Sequence, residues 1–213
     1  KHYLKTISKM ENKMALKTGD ILLFNEHPNG WLDSFVDNTI KCFTKSKYSH
    51  AGFVIVDPEW APKGTYVWDS SEHHVPDPQD NKIKFGIALV PIKDYLSTQN
   101  NHINLYKRSP VDPETYKLFT KEFLNKLHTA VYGKHYDLTF GHWLAGFLRV
   151  LIPRSTKTFF CSAFVSYTLT QVGILGKWTD WTIISPAELS HEHDDDLNWI
   201  HPYGPDTLWT GNP

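Results

Sequence analysis

Short apolar runs alternate with longer amphipathic stretches along this chain, and Gly, Pro, Asn or Asp stands at most of the joints. The short runs, rich in β-branched and aromatic residues, read as strands at 21–24, 53–56, 65–70, 85–92 and 103–107. The connections between these runs, about five in number, are too short for repeated parallel crossovers, so the sheet is expected to be mostly antiparallel. Other stretches carry apolar residues every three or four positions, as a helix with one buried face does. Leu32, Phe35, Val36, Ile40 and Phe43 form one such stripe. Tyr116, Phe119, Phe123, Leu127 and Val131 form another, opened by the capping pair Asp112-Pro113 and closed by Gly133. The apolar segment 142–152 ends at Pro153 and reads as a core helix. Phe160, Phe164, Tyr167 and Val172 mark a helix that Gly173 can stop. Ser185-Pro186-Ala187-Glu188 is a capping-box sequence.

At the start, Leu4, Ile7, Met10 and Met14 share a helical face while Lys1, Lys5, Lys9, Lys13 and Lys17 recur along the other. Residues 1–17 are therefore expected to form an N-terminal amphipathic helix that docks on the domain or meets a membrane surface. Residues 18–213 contain no repeat and no linker long enough to divide them, and read as one α+β domain.

Composition narrows the choice of partners. With 22 Lys and Arg against 23 Asp and Glu, the near balance gives no argument for nucleic acid. Eight Trp among 14% aromatics suit a cleft lined with rings. The two cysteines, Cys42 and Cys161, make no disulfide framework, and a reducing, cytoplasmic compartment is the simpler expectation. Twelve histidines bring no zinc-type spacing with cysteine, and the pair His191 and His193 is a weak metal candidate, so neither metal nor cofactor is expected. The run 142–152 is too short for a membrane span and carries Arg149.

The candidate chemistry centres on Cys161. A thiol at a helix N-terminus faces the positive end of the dipole and unpaired N–H groups, which favour the thiolate nucleophile. Cys42 has no acid or base beside it in sequence and reads as structural. His50 stands at the start of a strand and Asp69 on the strand expected to return beside it. Val67 and Asp69 share a face by the period of two, so the carboxylate can reach the imidazole. Nucleophile, base and orienting acid are the parts a thiol hydrolase needs, and the Cys161 backbone N–H is a ready oxyanion donor.

These pieces resemble a known set. Thr18-Gly19-Asp20-Ile21-Leu22-Leu23-Phe24, Tyr48-Ser49-His50-Ala51-Gly52-Phe53-Val54, Val67-Trp68-Asp69-Ser70-Ser71, Tyr132-Gly133-Lys134-His135-Tyr136-Asp137 and Phe160-Cys161-Ser162-Ala163-Phe164-Val165 follow the order seen in circularly permuted papain-like proteins of the NlpC superfamily. The bacterial YiiX/YaeF-like proteins and a poxvirus branch belong there. The resemblance covers roughly residues 18–190. It implies a permuted papain-like fold, Cys161 as nucleophile and His50 as base. Asp69 stands where the family often has Glu. Glu72, His73 and His74 are alternatives for that third position, since acyltransferases of the lecithin:retinol type use a second histidine. Tyr48 is a candidate for lining the oxyanion or substrate site, and 133–137 for bracing the sheet.

The resemblance implies a cysteine amidase, peptidase or acyltransferase that cleaves an amide or ester, lipid- or peptide-linked, through an acyl-cysteine intermediate. The competing reading is a non-catalytic binding module on the same fold, associated with a membrane surface through residues 1–17.

Overall fold

The computed structural model describes residues 15–26, 47–98, 103–136, 158–159 and 161–211. Outside them lie residues 1–14 of the expected N-terminal helix, the 32–43 stripe with Cys42, and the apolar segment 142–152. Residues 15–17 are not helical and lead into the turn at Thr18-Gly19.

The architecture is α+β, an open antiparallel sheet with a few helices. Its strands are β1 (Ile21–Glu26), β2 (His50–Val56), β3 (Thr65–Glu72), β4 (Phe85–Pro91), β5 (Ile103–Arg108) and, from the tail, β8 (Thr207–Trp209). Two short pieces, β6 (His135–Tyr136) and β7 (Thr158–Phe159), extend one edge, giving the order β7-β6-β4-β3-β2-β1-β5-β8. Among the described residues only the β6–β7 pair is parallel. The tail strand was absent from the sequence-based expectation. It is short, and its pattern is broken by Gly and Pro on both sides.

Alternation along the strands sorts the core into two layers. One face carries Leu23, Ala51, Phe53, Ile55, Trp68 and Leu89 against the helices. Those helices are α2 (Lys121–Val131) and α3 (Cys161–Gln171). The other face carries Leu22, Phe24, Val54, Val67 and Leu105, covered by the short helix α1 (Ile92–Thr98) through Tyr95 and Leu96. Helix α3 is buried on nearly every side, as a helix packed into the middle of a domain must be. Gly173, at φ +85°, ends it, and Ile174 N–H donates back to the Leu169 carbonyl at 2.8 Å.

Two helix expectations change. The stripe expected as one helix from Pro113 is a 3₁₀ turn, Pro113–Leu118, followed by α2. Asp112 caps the first piece and Thr120 the second, each accepting a backbone N–H. Between them Phe119 turns inward and packs against Phe53, with ring centroids 5.3 Å apart. At Ser185 the capping-box bonds form, since Ser185 N–H donates to Glu188 Oε2 and Glu188 N–H to Ser185 Oγ. No helix follows. The Leu189 carbonyl is taken instead by the buried Arg108 guanidinium at 2.7 Å.

Candidate active site

Three of the expected residues meet at one end of the sheet. His50 is the first residue of β2 and Cys161 the first residue of α3. Asp69 lies on β3, opposite Gly52 in the register that pairs Phe53 with Trp68. It therefore sits diagonally to His50 on the same face, within reach of an imidazole. His50 Nε2 and Asp69 Oδ2 are 2.5 Å apart. With Nε2 engaged, Nδ1 is the nitrogen left for the thiol, and Cys161 lies near enough to His50 to raise its pKa. The His50 side chain retains 15% exposure, whereas Asp69 has none and Cys161 has 5%.

The strand carries Asp69 further than the sequence suggested. Strand β3 continues to Glu72, so Asp69 is interior to it and not at its end. Glu72 is exposed and pairs with Phe85, and His74 is exposed as well. His73 is buried behind Asp69, with Nε2 3.7 Å from Asp69 Oδ1. Its Nε2–H donates to the Gly86 carbonyl at 2.8 Å, which fixes the ring.

Gly52 makes the His50–Asp69 diagonal sterically accessible. A Cβ there would lie 2.3 Å from Val67 Cγ1 and 3.5 Å from Asp69 Cβ. Its absence makes room for the β3 side chains on the face away from α3. The neighbouring Ala51 faces the α3 side, so the two small residues after His50 serve opposite faces.

Electrostatics binds the three groups together. Burial disfavours a charged His50, but the negative charge at Cys161, hydrogen bonds to Asp69 and Cys161, and the Asp69 charge outweigh it. The imidazole is held well above its ordinary pKa. Burial likewise disfavours an ionised Asp69. The positive charge of His73, the bond to and charge of His50, and a hydrogen bond from Tyr95 outweigh that, and Asp69 is held below the ordinary carboxylate value.

Tyr48 is fully buried, and its hydroxyl donates to Asp206 Oδ2 at 2.7 Å. Burial and that carboxylate push the phenol well above its ordinary pKa. Its ring stands edge-on to Tyr106 at 5.4 Å. Tyr48 thus ties the chain just before His50 to the C-terminal segment. In the 133–137 segment, His135 pairs with Gly86 and extends the sheet beyond β4.

Sequence reasoning missed Tyr95. It sits on α1, a helix that directly continues β4, and its hydroxyl donates to Asp69 Oδ2 at 2.9 Å. Three side chains of the second layer, Phe24, Tyr95 and His50, pack ring against ring at 5.1 and 4.8 Å. The spacing of Ile92, Tyr95 and Leu96 was the available signal for a helical turn, but it is too short to register as a period.

Among the described residues, no cluster of three or more His, Cys, Asp and Glu could hold a metal ion. His191 and His193 are each paired with an aspartate of their own turn, Asp194 and Asp196. None of the helices among the described residues is long and apolar enough to cross a membrane. No protein-family model matches this chain, and no curated protein matches it.

Proposed function

We propose that this chain is a thiol enzyme of the circularly permuted papain-like type, related to the NlpC superfamily, and that it cleaves an amide or ester through an acyl-cysteine intermediate. One observation carries the reading. A cysteine opening a buried helix lies beside a histidine whose Nε2 is held by a buried aspartate. That is the nucleophile–base–orienter arrangement of acyl transfer.

In this reading the Cys161 proton passes to His50, and the sulfur attacks the substrate carbonyl carbon. The C=O electrons move to oxygen, and the Cys161 backbone N–H, which has no intrahelical acceptor at the first position of α3, stabilises that charge. Collapse re-forms the carbonyl and breaks the bond to the leaving amine or alcohol, which takes the proton from His50. Water or another acyl acceptor then attacks the thioester, with His50 as base, and releases Cys161. Asp69 keeps the imidazole oriented and favours its protonated form throughout. Tyr48 is not the oxyanion donor in this reading, because Asp206 engages its hydroxyl proton.

The test is labelling of the full chain with a thiol-reactive acyl-type probe and mapping of the adduct by mass spectrometry. Selective modification of Cys161 over Cys42, lost in His50→Ala, supports the reading. Equal or absent labelling overturns it in favour of a binding module.

A further inference from the structure

Asp69 is the most demanding group of the site. It is a fully buried carboxylate, and among the described residues its Oδ1 has no hydrogen-bond partner. All its close bonding falls on Oδ2, which receives His50 at 2.5 Å and Tyr95 at 2.9 Å. Ser71 Oγ is more distant at 3.4 Å. A buried carboxylate with so few donors is costly, and each donor it does have counts heavily.

Resting on the acyl-transfer reading above, we propose that Tyr95 is a positioning residue of this site, whose hydroxyl fixes Asp69 Oδ2 under His50. The geometry supports a role beyond filling space. Tyr95 reaches Asp69 from α1, which covers the face opposite α3, so the carboxylate is held between two strands and a helix. The ring of Tyr95 packs on Phe24 at 5.1 Å, and Phe24 stands edge-on to His50 at 4.8 Å. Tyr95 therefore backs the Phe24 ring that bounds the imidazole, while its own hydroxyl directs the acid that orients that imidazole. The hydroxyl is a neutral donor, so it favours the ionised carboxylate without adding a further positive charge to those of His50 and His73. The titratable groups facing Asp69 are His50 on β2, His73 after β3 and Tyr95 on α1, with Cys161 on α3 acting on it through His50.

Tyr95→Phe is the test, because it removes the donor and keeps the ring. Two readouts on the full chain separate the proposal from the reading it rests on. The first is the titration of the Asp69 side-chain carboxyl, followed by carbon NMR in wild type and variant. With the donor gone, the Asp69 midpoint is expected to move upward. The second is the pH profile of kcat/KM on an acyl substrate that the wild type turns over. Its acid limb is expected to move upward in the same direction, with a loss of about tenfold on the acid side, as for one hydrogen bond to a charged group. An unchanged Asp69 midpoint overturns the positioning role, whatever the activity. A moved midpoint in a chain whose wild type processes no amide or ester sustains the positioning role and sinks the acyl-transfer reading alone. A uniform loss of kcat/KM at every pH with an unmoved carboxyl overturns the proposal, leaving Tyr95 a packing residue.

Discussion

Among single side chains, the proton balance of His50 governs what the site can do. Cys161 and Asp69 both raise it against the effect of burial, so removing either should lower it. Imidazole NMR on Cys161→Ala and Asp69→Asn is expected to show the His50 midpoint falling in each variant; a midpoint that stays put in both would mean the three groups do not interact in solution. The stability consequence has a definite sign. A raised His50 stabilises the fold fully below about 6.5, its unfolded value, and loses that contribution as pH rises through the folded value. A lowered Asp69 stabilises above about 3.9 and loses its contribution as pH falls through the folded value. Turnover should vanish in Cys161→Ala while the circular dichroism spectrum stays native, since a small side chain replaces a small one. Glu72→Gln should leave kcat/KM near wild type, because Glu72 is exposed beyond the site. The His50–Asp69 pair was legible in sequence because the period of two and antiparallel return constrain both residues. Tyr95 was not, because its approach depends on where α1 lands, and no local pattern encodes that.

For the elements, the close pairing of β2 and β3 carries the site. Gly52 is its narrowest point. Gly52→Ala would put a methyl 2.3 Å from Val67 Cγ1, so the strands must shift or Val67 must move. Overpacking of this kind costs about 1–3 kcal/mol, and here the shift falls beside Asp69. Denaturant unfolding should show that loss together with reduced labelling of Cys161. The double variant Gly52→Ala, Val67→Ala removes the nearest clash and should recover part of both. If Gly52→Ala were as stable and as reactive as wild type, the claim that β2–β3 contact positions the pair would fail. The strands themselves were readable, since apolar runs bounded by turn residues mark them directly. Helix extents were less so. Phe119 satisfied the helical stripe in sequence, yet its ring is drawn inward to Phe53, and tertiary packing divided the helix there.

Across the whole molecule, one arginine gathers the C-terminal chain onto the sheet. Arg108, at the end of β5, is fully buried. Its Nε donates to the Gly204 carbonyl at 2.8 Å, one terminal nitrogen to the Leu189 carbonyl, and the other to Asp194 and the Tyr203 carbonyl. These partners lie between 81 and 96 residues away in sequence, which is why no reading of local pattern anticipated the cluster. The run Asp194-Asp195-Asp196 contributes Asp194 to it as a charged partner. Asp206 lies 3.5 Å from Arg108 Nε and also receives the Tyr48 hydroxyl. The cluster therefore connects the tail to the chain that enters β2 at His50. A planar fork can serve several acceptors at once, whereas a lysine ammonium is a single point with three donors. Arg108→Lys should leave buried carbonyls and Asp194 short of donors, at a cost of about 3–5 kcal/mol by comparison with other broken buried pairs. The expected result is a lower Tm and early proteolytic cleavage within 189–206, with the sheet strands cut later. Because Tyr48 would lose its anchor with the tail, Cys161 labelling should slow as well. Should Arg108→Lys keep the wild-type Tm and the same cleavage order, the tail must be held by its apolar contacts, Leu189, Tyr203 and Trp209, and the arginine would be dispensable to the fold.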